Sequence, residues 1–249
     1  MPDREPMRPV LLITRPEPGA TRTANALRQA AGATFQTVIS PLLAMRFRGA
    51  LPVIGAGDVP VFTSMNGVRA YRKGGGPAGR RALAVGDATA AAACEAGLET
   101  VSAGGDVESL IALVLRDPPS GRLVHLRGLE TRGDLGSRLR AAGLVCDEAV
   151  VYEQTSQPLS KAGQAALAGT SPVVTPVFSP RTAAELALYS PANAPVFVAA
   201  MSPAVADALS PLAPRRVLIA EAPTAAAMQA ATLRLLPEAA ALETGGGAE

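Results

Sequence analysis

Apolar positions along the chain fall into short, continuous runs that alternate with longer Ala- and Leu-rich stretches at helical spacing. Residues 10–14 form one such run, which stops at Arg15-Pro16 as a buried strand entering a loop does. Ala24, Leu27, Ala30 and Ala31 then recur at helical spacing within 21–31, and Gly32 closes that helix. A second strand is predicted at 35–39. The next unit opens with a strand at 59–62 ending in Thr63-Ser64, followed by helix 65–71 capped by a hydroxyl. A strand at 82–85, a turn at Gly86, a helix at 89–96, a short strand at 100–102 and a helix at 107–116 complete the first half. The sequence Asp117-Pro118-Pro119-Ser120-Gly121 breaks it. Strands alternating with helices in this way specify an α/β fold with parallel sheets.

After the break the pattern returns. A strand at 123–126 leads into Arg127-Gly128, and Leu135, Leu139 and Gly143 repeat a helix and its stop. Arg127 lies 112 residues after Arg15, Ser179 lies 115 after Ser64, and Ser202 lies 116 after Gly86. Elements that recur in order at nearly constant offset mean two similar halves.

Composition narrows the chemistry. Of 249 residues, 50 are Ala, none is Trp, and 18% are charged with a net charge of +2, which is neither a disordered acidic tail nor a strongly basic nucleic-acid binder. Of the 23 basic residues, 21 are Arg, a bias that high genomic GC content explains in large part. His125 is the lone histidine, so a histidine metal cluster or a Ser-His-Asp triad has little material. Cys94 and Cys146, without a CxxC, read as buried thiols in a reducing compartment. No apolar run has the length of a signal peptide core or a membrane span, so a cytoplasmic protein is expected, without membrane or nucleic-acid partners. The Gly-rich end, 244–249, is expected to be disordered.

The familiar nucleotide signatures are absent: Gly55-Ala56-Gly57 lacks the third glycine, and no Gly-Lys-Ser/Thr occurs. What remains is a series of hydroxyl, glycine and arginine residues at predicted strand ends: Thr14-Arg15, Thr63-Ser64, Gly86 with Thr89, Arg127-Gly128, Ser179 and Ser202. Ligands of open α/β sheets bind there, where helix N-termini offer free N–H groups to anions. Taken singly, each hydroxyl also reads as a helix cap. Tyr152, after the β run 149–151, taken alone reads as a packing residue between domains.

The ordered set Thr14-Arg15-Pro16, Thr63-Ser64-Met65-Asn66-Gly67-Val68, Ala84-Val85-Gly86-Asp87-Ala88-Thr89-Ala90, Val151-Tyr152 and Phe178-Ser179-Pro180 resembles the uroporphyrinogen-III synthase family, over about residues 8–236. The resemblance implies two flavodoxin-like parallel-sheet domains joined by a two-stranded connector. The first domain would comprise 1–39 and 154–249, and the second 40–153, with crossings near 39–41 and 151–153. It implies a cofactor-independent enzyme with no metal, which cyclises the linear tetrapyrrole hydroxymethylbilane to uroporphyrinogen III with loss of water and inversion of the terminal ring. Tyr152 would be catalytic, and Ser64, Asn66, Gly86, Thr89 and Ser179 would contact substrate carboxylates, with Ser202, Arg15, Arg127 and Arg132 as further candidates. The resemblance also implies a monomer, in transient contact with the enzyme that makes the bilane. The chain departs from the family where many members read Gly-Pro-Thr-Thr-Ala: here Ser202-Pro203-Ala204-Val205-Ala206 lacks two hydroxyls. Two other readings stand beside this one, a two-domain module that binds an anion without reacting it and an inactive paralogue.

Overall fold

The computed structural model describes residues 8–32, 34–130 and 134–242. The chain divides into two compact units, the first drawn from Met1–Ala44 and Ser156–Glu249 and the second from Met45–Thr155. These divisions fall a few residues beyond the crossings expected from the sequence.

In chain order the elements are β1 (Val10–Ile13), α1 (Gly19–Ala31), β2 (Gln36–Ile39), β3 (Leu43–Phe47), β4 (Val59–Phe62), α2 (Met65–Lys73), β5 (Arg81–Ala84), α3 (Asp87–Glu95) and β6 (Glu99–Ser102). There follow α4 (Val107–Arg116), β7 (Leu123–Gly128), α5 (Leu135–Ala141), β8 (Cys146–Ser156), α6 (Lys161–Ala168), β9 (Val173–Val177), α7 (Pro180–Ala187), β10 (Val196–Ala200), α8 (Pro203–Ala208), a 3-10 turn (Ser210–Leu212), β11 (Arg216–Ile219) and α9 (Ala225–Ala241). The strand β3 was not expected; Arg46 interrupts its apolar run, and only Leu43 is buried. Helix α9 runs on through Pro237 to Ala241. Residues 244–249, expected to be disordered, lie outside the described residues, as does Arg132.

The first unit holds a parallel sheet in the order β11-β10-β9-β1-β2. Its central strands are apolar on both faces because helices cover both. Val10 and Leu12 pack into one cluster with Leu42, Leu186 and Val198, while Leu11 and Ile13 enter another with Leu27, Met228 and Leu235. This is the two-residue alternation of a strand read by two cores. The second unit runs β8-β7-β4-β5-β6, again parallel, with β3 beyond β8. Val59 and Val61 face one core there and Phe62 the other.

Counted along the chain, the two orders differ, 2-1-3-4-5 in the first unit and 3-2-1-4-5 in the second. Under the repeat seen in the sequence they coincide. Pairing β7 with β1, β8 with β2, β4 with β9, β5 with β10 and β6 with β11 turns one sheet into the other. The units are circular permutants of one plan, and this is why the repeat does not coincide with either unit. In both, the direction of winding reverses at one place, between β1 and β9 in the first and between β7 and β4 in the second.

Candidate functional site

In open α/β sheets the crevice at such a reversal, outside the carboxyl ends of the strands, is where ligands bind. Several of the residues singled out in the sequence lie along that edge of the two sheets. In the second unit Arg127, Ser64 and Gly86 stand at the carboxyl ends of β7, β4 and β5, and Tyr152, within the longer β8, pairs with Gly128 at the end of β7. In the first, Arg15, Ser179 and Ser202 follow β1, β9 and β10.

Ser64 is the N-cap of α2. Its Oγ accepts from Gly67 N at 3.4 Å and lies 2.7 Å from the Tyr152 hydroxyl. Either hydroxyl can donate in this pair; in the arrangement where Ser64 does, its proton goes to the phenolic oxygen. The Tyr152 proton is then free to point away from the pair. The ring sits over Gly128, its partner in the β7–β8 ladder at a register shift. A Cβ on Gly128 would stand 2.6 Å from Tyr152 Cε2, so a glycine here is what lets the ring lie against the strand. Both residues are half-buried.

Beneath this pair runs a chain of polar contacts that sequence reasoning missed. His125, 1% exposed on β7, has Nε2 3.2 Å from Thr63 Oγ1 and Nδ1 3.3 Å from Glu148 Oε1. Burial pushes its pKa below the ordinary value, partly opposed by Glu148. The neutral ring therefore donates from Nδ1 to the carboxylate and accepts the Thr63 proton at Nε2. That bond pins the strand end immediately before Ser64. Glu148 also pairs with Arg127, Nε at 3.3 Å, and with Arg140, Nη2 at 3.4 Å. The Arg127 contact is an ion pair that falls short of hydrogen-bond geometry. Arg127 further donates to Gly128 O at 3.1 Å. It is thus already matched with an internal carboxylate. A lone histidine gave no sequence signal for this chain, because its partners come from two other strands.

Asn66, in the first turn of α2, accepts from Arg69 at 3.3 Å. Gly86 caps α3 without a side chain, and Thr89 is turned inward at 9% exposure. In the first unit Ser179 caps α7, its Oγ accepting from Thr182 N at 3.2 Å. Ser202 begins the six-residue α8 and makes no capping bond. Of the two positions where hydroxyls were missing, Val205 is 1% exposed and part of the core. Apolar packing has taken that position. Arg15 stacks its guanidinium on Phe178, 4.0 Å from the ring centroid, and donates to Thr23 Oγ1 at 3.1 Å.

Among the described residues no helix is long and apolar enough to cross a membrane. A family model described as "Uroporphyrinogen-III synthase HemD" matches residues 22–230. The fold is similar to that of uroporphyrinogen-III synthetase from Helicobacter pylori, with 18% identity, a TM-score of 0.58, and coverage of 92% of this chain and 100% of that one. A mutant uroporphyrinogen III synthase from the extremely thermophilic bacterium Thermus thermophilus is matched at 17% identity and a TM-score of 0.43, over 92% of this chain and 99% of that one. No curated protein matches the chain.

Proposed function

The chain belongs to the uroporphyrinogen-III synthase family, and from that premise we propose what each residue of the site does. The enzyme is a cyclising hydro-lyase of tetrapyrrole biosynthesis: it closes hydroxymethylbilane to uroporphyrinogen III with loss of water and inversion of the terminal pyrrole ring. The reading of a binding module that leaves its ligand unreacted is not favoured by the family match.

The substrate supplies its own nucleophile, since pyrroles are electron-rich. What must be provided is a proton for the leaving hydroxyl and a conformation in which the substituted carbon of the terminal ring attacks first, through a spiro intermediate. Tyr152 donates that proton as a weak general acid. The C–O bond breaks, water departs, and a stabilised cation remains. The substituted carbon of the terminal ring attacks that cation to give the spiro intermediate, and its bond to the original methylene breaks to leave a second stabilised cation. The ring's unsubstituted α-carbon closes on that cation and loses one proton, which returns to the phenolate. Ser64 holds the phenol in place, and its bond to the Tyr152 oxygen stabilises the transient charge. The observation that carries this role is the 2.7 Å Ser64–Tyr152 contact at the winding reversal of the second unit.

Substrate carboxylates would be held by the N-terminal N–H groups of α2, α3 and α7, through Ser64, Asn66, Gly86, Thr89 and Ser179, with Arg15, Arg127 and Ser202 contributing. Most of the rate would then come from positioning. The enzyme would work as a cytoplasmic monomer fed by transient contact with the bilane-forming enzyme, its domains joined by β3 and β8. The test is Tyr152→Phe, assayed with freshly generated hydroxymethylbilane: turnover falls about tenfold to a hundredfold while stability falls by only about 1 kcal/mol, the net value of the hydrogen bond to Ser64. Wild-type turnover in that variant would reject the acid role.

A further inference from the structure

The first unit has at its own winding reversal a cleft of about 360 Å³ between α1 and α9. Arg15 and Arg22 line it together with Phe178, and Leu27 and Met228, each 1% exposed, give it an apolar floor. Gln229 spans the two helices, its amide donating to Ala26 O at 3.3 Å.

Three features make this a site in want of an anion. Among the described residues neither arginine forms an ion pair with a carboxylate, while burial and the charge of Arg22 both push the Arg15 pKa down. The repeat supplies a control. It aligns Arg15 with Arg127, and His125 with Ile13, whose ladder partners are Glu148 and Ile39 respectively. The second unit therefore neutralises its arginine internally, and the first puts an isoleucine where that carboxylate stands. Finally, Gly19 clears space for the Arg15 side chain: a Cβ there would lie 2.6 Å from Arg15 Nε. The guanidinium lies over the Phe178 ring, its central carbon 4.0 Å from the centroid, with one of its five N–H groups used on Thr23.

A fixed guanidinium fork beside a second cation selects carboxylates, and the apolar floor with its aromatic wall selects a flat, ring-shaped body. The volume is near the lower end of the roughly 300–1,000 Å³ of small-molecule sites, enough for one ring and too small for four. We propose that this cleft binds a single aromatic or heteroaromatic ring bearing carboxylate arms. Two sources share that chemistry, one ring of the linear tetrapyrrole or a free monocyclic pyrrole dicarboxylate; the first rests on the cyclase reading and the second does not.

The test uses the full chain and a pyrrole carrying one acetate and one propionate arm, titrated by calorimetry. Wild type binds with a Kd on the order of 0.1–1 mM, and the diamide of the same pyrrole, Arg15→Met and Arg22→Met each weaken binding about tenfold. Arg22 is exposed, so its variant tests the site without threatening the fold. Gly19→Ala, which displaces Arg15 without removing it, weakens binding as well. Equal binding of acid and diamide, wild-type binding by Arg22→Met, or no binding by wild type overturns the proposal. If the pyrrole also raises KM for hydroxymethylbilane without changing kcat, the occupant is a ring of the substrate; if KM is unmoved, it is a free ligand. Because the titration needs no turnover, failure of the site and failure of the cyclase reading are told apart.

Discussion

Replacing Gly128 by Ala should disable Tyr152 without touching it. The added Cβ would meet Tyr152 Cε2 at 2.6 Å, Cζ at 2.8 Å and the hydroxyl at 3.1 Å. Ordinary contact begins at 3.4 Å, so the ring must withdraw by roughly 0.8 Å. A withdrawal of that size along the line from Ser64 lengthens their 2.7 Å bond to about 3.5 Å, outside hydroxyl hydrogen-bond range. Gly128 is not in the left-handed region, so the effect is steric and the strand itself is not strained. Stability should fall by only about 1 kcal/mol, the net value of one hydrogen bond. Turnover is more sensitive: misplacing a reacting group by about 1 Å costs up to about a hundredfold. The expected loss is about tenfold to a hundredfold in kcat, or about 1.4–2.7 kcal/mol in the barrier. The assay follows consumption of freshly generated hydroxymethylbilane in Gly128→Ala, Tyr152→Phe and the double variant. If Gly128 acts through the phenol, the double variant is about as slow as Tyr152→Phe alone. Wild-type kcat in Gly128→Ala, or a second full loss on top of Tyr152→Phe, would show that Gly128 does not act through the phenol.

Other outcomes follow from the polar groups around the site. The pKa of buried His125 is lowered on folding, so its contribution to stability is complete above about pH 6.5 and is lost as the pH falls through the folded value, by at most about 1.4 kcal/mol per pH unit. Urea midpoints between pH 7.5 and 5 should therefore fall more steeply in wild type than in His125→Gln, and equal slopes would contradict this. Burial pushes the Cys146 thiol up to about 11, whereas Cys94, expected from the sequence to be buried, is exposed. Iodoacetamide at pH 8 should label Cys94 alone until the chain is unfolded, as peptide mapping would show. At the amino ends of β7 and β8, Arg122 bridges Asp58 at 2.5 Å and Asp147 at 2.6 Å and is about a third exposed. Arg122→Met should cost about 1 kcal/mol in denaturant unfolding and leave the product isomer unchanged, since the pair lies at the edge away from the strand ends that carry the site.

Most strands were legible because central parallel strands are buried on both faces and read as unbroken apolar runs, as in β1, β4 and β10. Edge and connecting strands carry a weaker signal, and β3, with Arg46 in its middle, was missed. The repeat was visible as constant offsets, but its meaning required the sheet orders, since a circular permutation changes connectivity without changing spacing. Within the site, Ser64 and Ser179 could be read as caps that also end strands, and both proved to be N-caps. Their neighbours could not be read. Tyr152 meets Ser64 across 88 residues, and Gln229 reaches Ala26 across 203. Arg127 looked the same as Arg15 in sequence; only the register that sets Glu148 beside His125 and Ile39 beside Ile13 separates an arginine with a carboxylate in reach from one without.

The central claim is that this chain directs ring closure rather than merely binding an anion. It is tested by giving the purified protein freshly generated hydroxymethylbilane, oxidising the products and resolving the porphyrin isomers by chromatography. The spontaneous reaction gives the symmetric type I isomer. Type III is the expected main product, formed faster than the uncatalysed closure, and a product that stays type I at the uncatalysed rate would rule out directed closure.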